Sequence, residues 1–174
     1  MHATVSGFLS QYTCGTPGLA AFGSTTIILN DSSEPQPDLS LAVLPEFGGQ
    51  SHINADDFLE GAPELTVEVA LSSESYDLHA KLRDYHRAGV KEYLVVVLRQ
   101  NKVIWHVREP ASGHYAPIKP DANGILKSPF FGGLWLNPDA LFRGDTRALQ
   151  ETLKLGLASP EHAKFIEALN RRRK

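Results

Sequence analysis

The stretch "LTVEVALSS", Leu65 to Ser73, places one ionisable carboxylate in the most β-prone segment of its neighbourhood, and its reading decides the fold. "PDLSLAV", Pro37 to Val43, repeats the arrangement with Asp38. Alternate side chains of a strand share a face. Leu65, Val67, Val69 and Leu71 therefore line one face, and Thr66, Glu68 and Ala70 the other. In the earlier strand, Leu39, Leu41 and Val43 oppose Asp38, Ser40 and Ala42. Each strand thus has an aliphatic side for a core and a side of small residues carrying one acid. Two readings follow. If the strands are neighbours over one core, both acids open onto one cleft; otherwise this face is the solvated side of a half-covered sheet.

Two carboxylates a few ångströms apart repel each other, and at least one pKa rises unless a cation holds them. Carboxylate oxygens with a backbone carbonyl are hard ligands suited to Mg²⁺ or Mn²⁺. The segment after Glu68, "SSESYDLHAKLRDYHRAG", reads as a helix capped by Ser72 or Ser73, with Glu74 and Asp77 near its positive end and Gly89 closing it. Asp77, Lys81 and Tyr85 fall at steps of four on one side of it, and Leu78, Leu82 and Tyr85 form its apolar stripe. Either Asp77 and Lys81 make an ordinary i,i+4 ion pair, or Lys81 extends over the sheet toward the acids.

Around this centre, "ATVSGFLSQYT" (Ala3 to Thr13) reads as a helix stopped by "TPG", and "STTIILN" (Ser24 to Asn30) as a strand. The connection from Pro45 to Pro63, with His52, Asp56, Asp57 and Glu60, is long enough to be a flap or a mobile surface segment. "KEYLVVVL" and "KVIWHV" are strands joined by the hairpin "RQN", and the unbroken apolar run of the first predicts burial on both faces. "HYAPI" and "GILKS" read as short strands, and "PFFGGLWL" leads into "NPDALF". From about Thr146 the chain reads as one or two helices broken near Ser159–Pro160. The fold class is α/β (α+β) with a mixed sheet.

At 174 residues, 42% hydrophobic and 21% charged, the chain is expected to form one domain over 1–174, with a core over about 3–142 and a helical extension over about 146–174. The lone Cys14 cannot form an internal disulfide and reads as a small buried hydrophobe. No apolar run is long enough to cross a membrane, and a cytoplasmic location is expected. Seventeen basic residues against 20 acidic ones give a formal charge of −3, which argues against tight binding to nucleic acid through bulk charge. The basic end "RRRK" (Arg171 to Lys174) reads as a solvated helix terminus able to touch phosphates. None of the seven histidines has zinc-site spacing; His79 and His86, two turns apart, span about 10 Å. No G-x-S-x-G or P-loop is present. Trp105 and Trp135 read as core residues.

The order "QPDLSLAV", "GAPELTVEVALSS", "DLHAKLRDYHRAGVKEYLVVV" resembles the bacterial Uma-two family of restriction endonuclease-like proteins, within the PD-(D/E)XK superfamily. The likeness runs from the first helix to "GILKSPFFGGLWL". It implies a restriction endonuclease-like mixed central sheet flanked by helices on an αβββαβ core. It further implies a divalent ion, Mg²⁺ or Mn²⁺, held by Asp38, Glu68 and the carbonyl of Val69, and DNA as substrate. The superfamily lysine two residues beyond the glutamate is replaced here by Ala70. The resemblance assigns its role to Lys81, with Asp77 as its partner or a further ligand, and Tyr85 to packing. Family members also carry an acid upstream, whereas no Asp or Glu precedes Asp31 here, and "EYLVVVL" lacks the tryptophan and terminal aspartate often found there. The expected activity is metal-dependent endonucleolytic hydrolysis of DNA by Asp38, Glu68 and Lys81. The alternative is a non-catalytic binding or self-assembly module on the same fold, and a homodimer or higher homo-oligomer is expected because such sheets leave edges that can pair.

Overall fold

The computed structural model describes residues 1–29, 34–72 and 76–173; the side chains of 76–78 lie outside the description. In chain order the elements are α1 (His2–Cys14), β1 (Leu19–Gly23), β2 (Ile27–Ile28), β3 (Leu39–Val43), a 3-10 turn (Pro45–Phe47), β4 (His52–Ile53), β5 (Leu59–Glu60) and β6 (Leu65–Ala70). There follow α2 (Tyr76–Ala88), β7 (Glu92–Val97), β8 (Lys102–Arg108), β9 (Tyr115–Pro117), β10 (Leu126–Lys127), β11 (Trp135–Leu136), α3 (Pro138–Arg143), α4 (Thr146–Leu157) and α5 (Pro160–Arg172).

The main sheet has six strands in the order β1-β3-β6-β7-β8-β9. Its β6–β7 pair is parallel, with α2 as the crossover, and the other pairs are antiparallel. The order α1-β1-β3-β6-α2-β7 is the αβββαβ core that the resemblance implied. Both faces of the sheet are covered. On one, Val5, Phe8 and Leu9 of α1 pack with Leu41, Leu65, Val67, Leu94 and Trp105, and with Leu153 and Leu169 of α4 and α5. On the other, Tyr85 of α2 packs with Val90, Tyr93, Val95 and Val97. Thr66 and Ser40, on the α2 side, are buried, so the half-solvated reading of this face is excluded. All six residues of β7 are buried, as its apolar run requires. The paired glycines of "FGGLWL" serve packing, since a Cβ on Gly133 would collide with the Gly156 carbonyl and let α4 no closer.

Three expectations are corrected, on the strand over 24–30, on Cys14 and on Trp135. Among the described residues of the strand read over Ser24–Asn30, only Ile27–Ile28 form one, in a small separate sheet with β5 and β4, while Asn30 lies outside the described residues; the edge of the main sheet is Leu19–Gly23 instead. Ser24 takes a positive φ of 47°, which interrupts an extended run at that residue. The connection over 45–63 holds the 3-10 turn and the β4–β5 hairpin. Cys14 is exposed rather than buried, because it lies off the stripe through which α1 packs. Trp105 is buried as expected, while Trp135 is only partly so and carries the Lys127 ammonium 4.0 Å above its ring. The helix start, with Ser73 and Glu74, lies outside the described residues. No described helix is long and apolar enough to cross a membrane.

Two buried glutamates fasten loops to the sheet. Glu64 accepts the Val43 N–H at 2.7 Å, and its carboxyl sits above the usual range because it is buried. Glu92 accepts from Trp105 Nε1 (2.9 Å), Ser128 Oγ (2.7 Å) and the Phe130 N–H (3.0 Å). Burial pushes the Glu92 carboxyl up to about 7 despite these donors. A carboxyl raised in the folded state stabilises most below its unfolded pKa and loses that contribution as pH rises through the folded value. We therefore expect the stability difference between wild type and Glu92→Gln, from urea unfolding at several pH values, to fall by roughly 2–3 kcal/mol as pH rises from about 4.5 to above 7. A difference independent of pH would contradict this placement of Glu92.

Candidate active site

β3 and β6 pair through Leu39–Val67, Ser40–Thr66 and Leu41–Leu65, so the end of β6 runs past the start of β3. The backbone of Val69 has no ladder partner on that side, and Asp38, the residue before β3, supplies one. The Val69 N–H donates to Asp38 Oδ2 at 2.7 Å. Because the N–H and carbonyl of one residue project toward the same neighbouring strand, the Val69 carbonyl faces the gap that Asp38 occupies. A strand that stops short thus leaves a notch lined by a carboxylate and a carbonyl oxygen. The ring of His2 also donates there, to the Asp38 carbonyl at 3.1 Å.

Glu68 is the preceding residue of β6 and points to the α2 side, where its 6% exposure would be costly for a bare carboxylate. Two donors from α2 meet it. Lys81 Nζ lies 3.0 Å from Glu68 Oε1, and the Tyr85 hydroxyl donates to the same oxygen at 3.1 Å. Lysine and tyrosine one turn apart on the helix therefore converge on one atom, which the step-of-four spacing permits. Burial raises the Glu68 carboxyl above its usual range, the Lys81 ammonium opposes that rise, and the nearby Asp38 charge adds to it. The effect of Asp38 on Glu68 places the two acids in one electrostatic neighbourhood. Among the described residues, neither Asp38 Oδ1 nor Glu68 Oε2 receives a hydrogen bond from the protein.

Of the expected site residues, Lys81 pairs with Glu68, and Asp38 is bonded to the N–H of the residue that follows Glu68. The Asp77 side chain lies outside the described residues. Ala70 sits half-buried at the end of β6 against the α2-side cluster, and Lys81 reaches Glu68 from the helix above it. Tyr85 does pack, fully buried with its ring 5.2 Å from that of Tyr93. Its hydroxyl bond to Glu68 goes beyond the packing role assigned from sequence, and the step of four from Lys81 is the signal for it. No group of three or more His, Cys, Asp or Glu side chains able to hold a metal is gathered among the described residues. A donor set of two carboxylates and a carbonyl nevertheless fits Mg²⁺, which is commonly held through one or two carboxylates and retains several waters.

Removing the phenol should be felt even without any reaction. Tyr85→Phe leaves the buried Glu68 carboxylate with one donor fewer, and we expect a loss of about 1 kcal/mol in urea unfolding. A variant that unfolds at the wild-type midpoint would mean that this bond contributes nothing.

Comparison with known proteins agrees with this architecture. A solved structure described as "a putative nuclease belonging to DUF820", from Anabaena variabilis ATCC 29413, superposes with a TM-score of 0.58 over 82% of this chain and 78% of that chain, at 16% identity. That likeness is one of fold. No curated protein matches the chain. A family model described as "Uma2: Putative restriction endonuclease" matches residues 1–139, from α1 to the start of α3. With most of its length matched, including every element that builds the notch, the chain belongs to the Uma2 family.

Proposed function

We propose that the protein is a metal-dependent endonuclease that hydrolyses phosphodiester bonds of DNA, with Asp38, Glu68 and the Val69 carbonyl as ligands of Mg²⁺ or Mn²⁺ and Lys81 as the catalytic cation. The observation that supports it best is the meeting, at one strand end, of a carboxylate from β6, a carboxylate preceding β3 and an ammonium from α2. A divalent ion bound there would polarise the phosphodiester and lower the pKa of the attacking water. Asp38 is oriented for such an ion by the Val69 N–H, which holds one carboxylate oxygen and leaves the other toward the notch. Glu68 carries a charge that burial and Asp38 both disfavour, so a cation between the two acids relieves an existing penalty. Lys81 neutralises Glu68 and is close enough to orient a water or to stabilise charge developing on a phosphate oxygen. Tyr85 holds Glu68 in place while Lys81 does so.

Titration calorimetry with Mn²⁺ and Mg²⁺, with cleavage of plasmid DNA measured alongside, tests this reading. Wild type should take up the ion, and Asp38→Ala and Glu68→Ala should each lose it. Lys81→Ala should keep most of the ion binding yet lose cleavage by about 100-fold or more, as for removal of a single charge-stabilising donor. Absence of ion uptake by wild type, with and without DNA present, would reject the proposal and favour a fold retained for binding or assembly.

A further inference from the structure

We infer that the hairpin joining β7 and β8, through Arg99 and Lys102, is the surface along which duplex DNA lies beside the Asp38–Glu68 notch, and that the arginines at the end of α5 are not. This inference rests on the nuclease reading of that site and adds where its substrate is held.

The register of the sheet fixes the geometry. Glu68 pairs with Val95 and Val95 with Ile104, so these three form one row across β6, β7 and β8. Two residues further toward the notch end lies the row Ala70–Val97–Lys102. Ile104 packs on the α2-side cluster, so by alternation Lys102 projects from the same sheet face as Glu68. Two strand spacings across and two residues along put the two backbones roughly 12 Å apart, about three or four nucleotides of rise along one DNA strand. The hairpin is also tied to the segment just past Glu68. The Leu98 N–H donates to the Ala70 carbonyl at 2.8 Å, and the Arg99 N–H to the Leu71 carbonyl at 3.0 Å. Arg99 and Lys102 are both exposed, and neither joins an ion pair among the described residues.

The cationic tail, the obvious candidate from sequence, is at the wrong end. Gly48 abuts the Arg172 side chain, and the Arg173 guanidinium sits 5.5 Å from the centre of the Phe47 ring. Phe47 follows the far end of β3, and the five steps from Asp38 to Val43 alone span ~17 Å. A chain with net charge −3 attracts a polyanion only through local concentrations of positive charge. Near the notch end, Arg99 and Lys102 of the hairpin provide such a concentration.

The salt dependence of binding distinguishes the two surfaces. Anisotropy of a short labelled DNA duplex, measured without divalent ions between about 50 and 200 mM salt, gives the number of phosphates neutralised from the slope of log K against log salt. Arg99→Ala with Lys102→Ala should weaken binding and reduce the slope by close to 2, at about 0.9 per phosphate contact. Arg172→Ala with Arg173→Ala should leave the slope as in wild type. All four positions are exposed, so melting temperatures should match and exclude misfolding as the cause. A wild-type slope in the hairpin variant, or the loss appearing in the tail variant instead, overturns this inference while leaving the nuclease reading intact. A wild type with no measurable affinity for duplex DNA would overturn both.

Discussion

The hydrogen bond from the Val69 N–H to Asp38 Oδ2 is the contact on which the site depends, because it compensates for a strand that stops short. A sheet whose strands were all of matched length would carry ladder bonds to its edge and have no backbone groups to spare. Here β6 continues past β3, and its exposed N–H recruits a carboxylate in place of a carbonyl. The same unmatched register that would normally cost an unsatisfied donor thereby brings an acid beside Glu68 and turns a neighbouring carbonyl toward it. Main-chain pairing and the approach of the two acids are one structural event.

Three glutamates of this chain lie buried in or beside strands, and all three have carboxyls raised by burial. A perturbed ionisation alone therefore does not separate a functional acid from a structural one. Their partners do. Glu64 accepts backbone N–H groups from the end of β3 and from Gln50, Glu92 accepts one from Phe130, and their work is complete once those segments are seated. Glu68 is met by the ammonium and phenol of one helix, and by the charge of a second acid with which it has no bond to share. Only the last arrangement leaves electrostatic repulsion that an added cation would resolve.

Much of this was readable in the sequence because the relevant segments have strong periods. The alternation in "LTVEVAL" assigned Glu68 to the face opposite Leu65 and Val67, and the step of four placed Lys81 and Tyr85 on one side of α2. β7 was read as buried on both faces from its composition. The failures have equally local causes. "LAAFG" is short, rich in alanine and flanked by glycine, so it lacks the bulky alternation of a strand, yet pairing with β3 makes it one. "STTIILN" has that bulk, but positive φ at Ser24 limits it. The end of β3 relative to β6 is a matter of register between strands far apart in sequence, and one chain carries no signal of it. The anchoring roles of Glu64 and Glu92 depend on loops arriving from elsewhere, which spacing along the strand does not reveal.

Supplying the lysine from a helix rather than from the strand has a consequence for how this chain can vary over evolution. A strand residue two places beyond Glu68 keeps its face whatever happens to the following loop. Lys81 does not, because each residue inserted or deleted within α2 ahead of it would rotate it by about 100° and shift it by about 1.5 Å relative to the first turn of the helix. A single such change would carry Lys81 and Tyr85 off Glu68 together. The part of α2 ahead of Lys81 is therefore locked in length by the pairing of Lys81 and Tyr85 with Glu68.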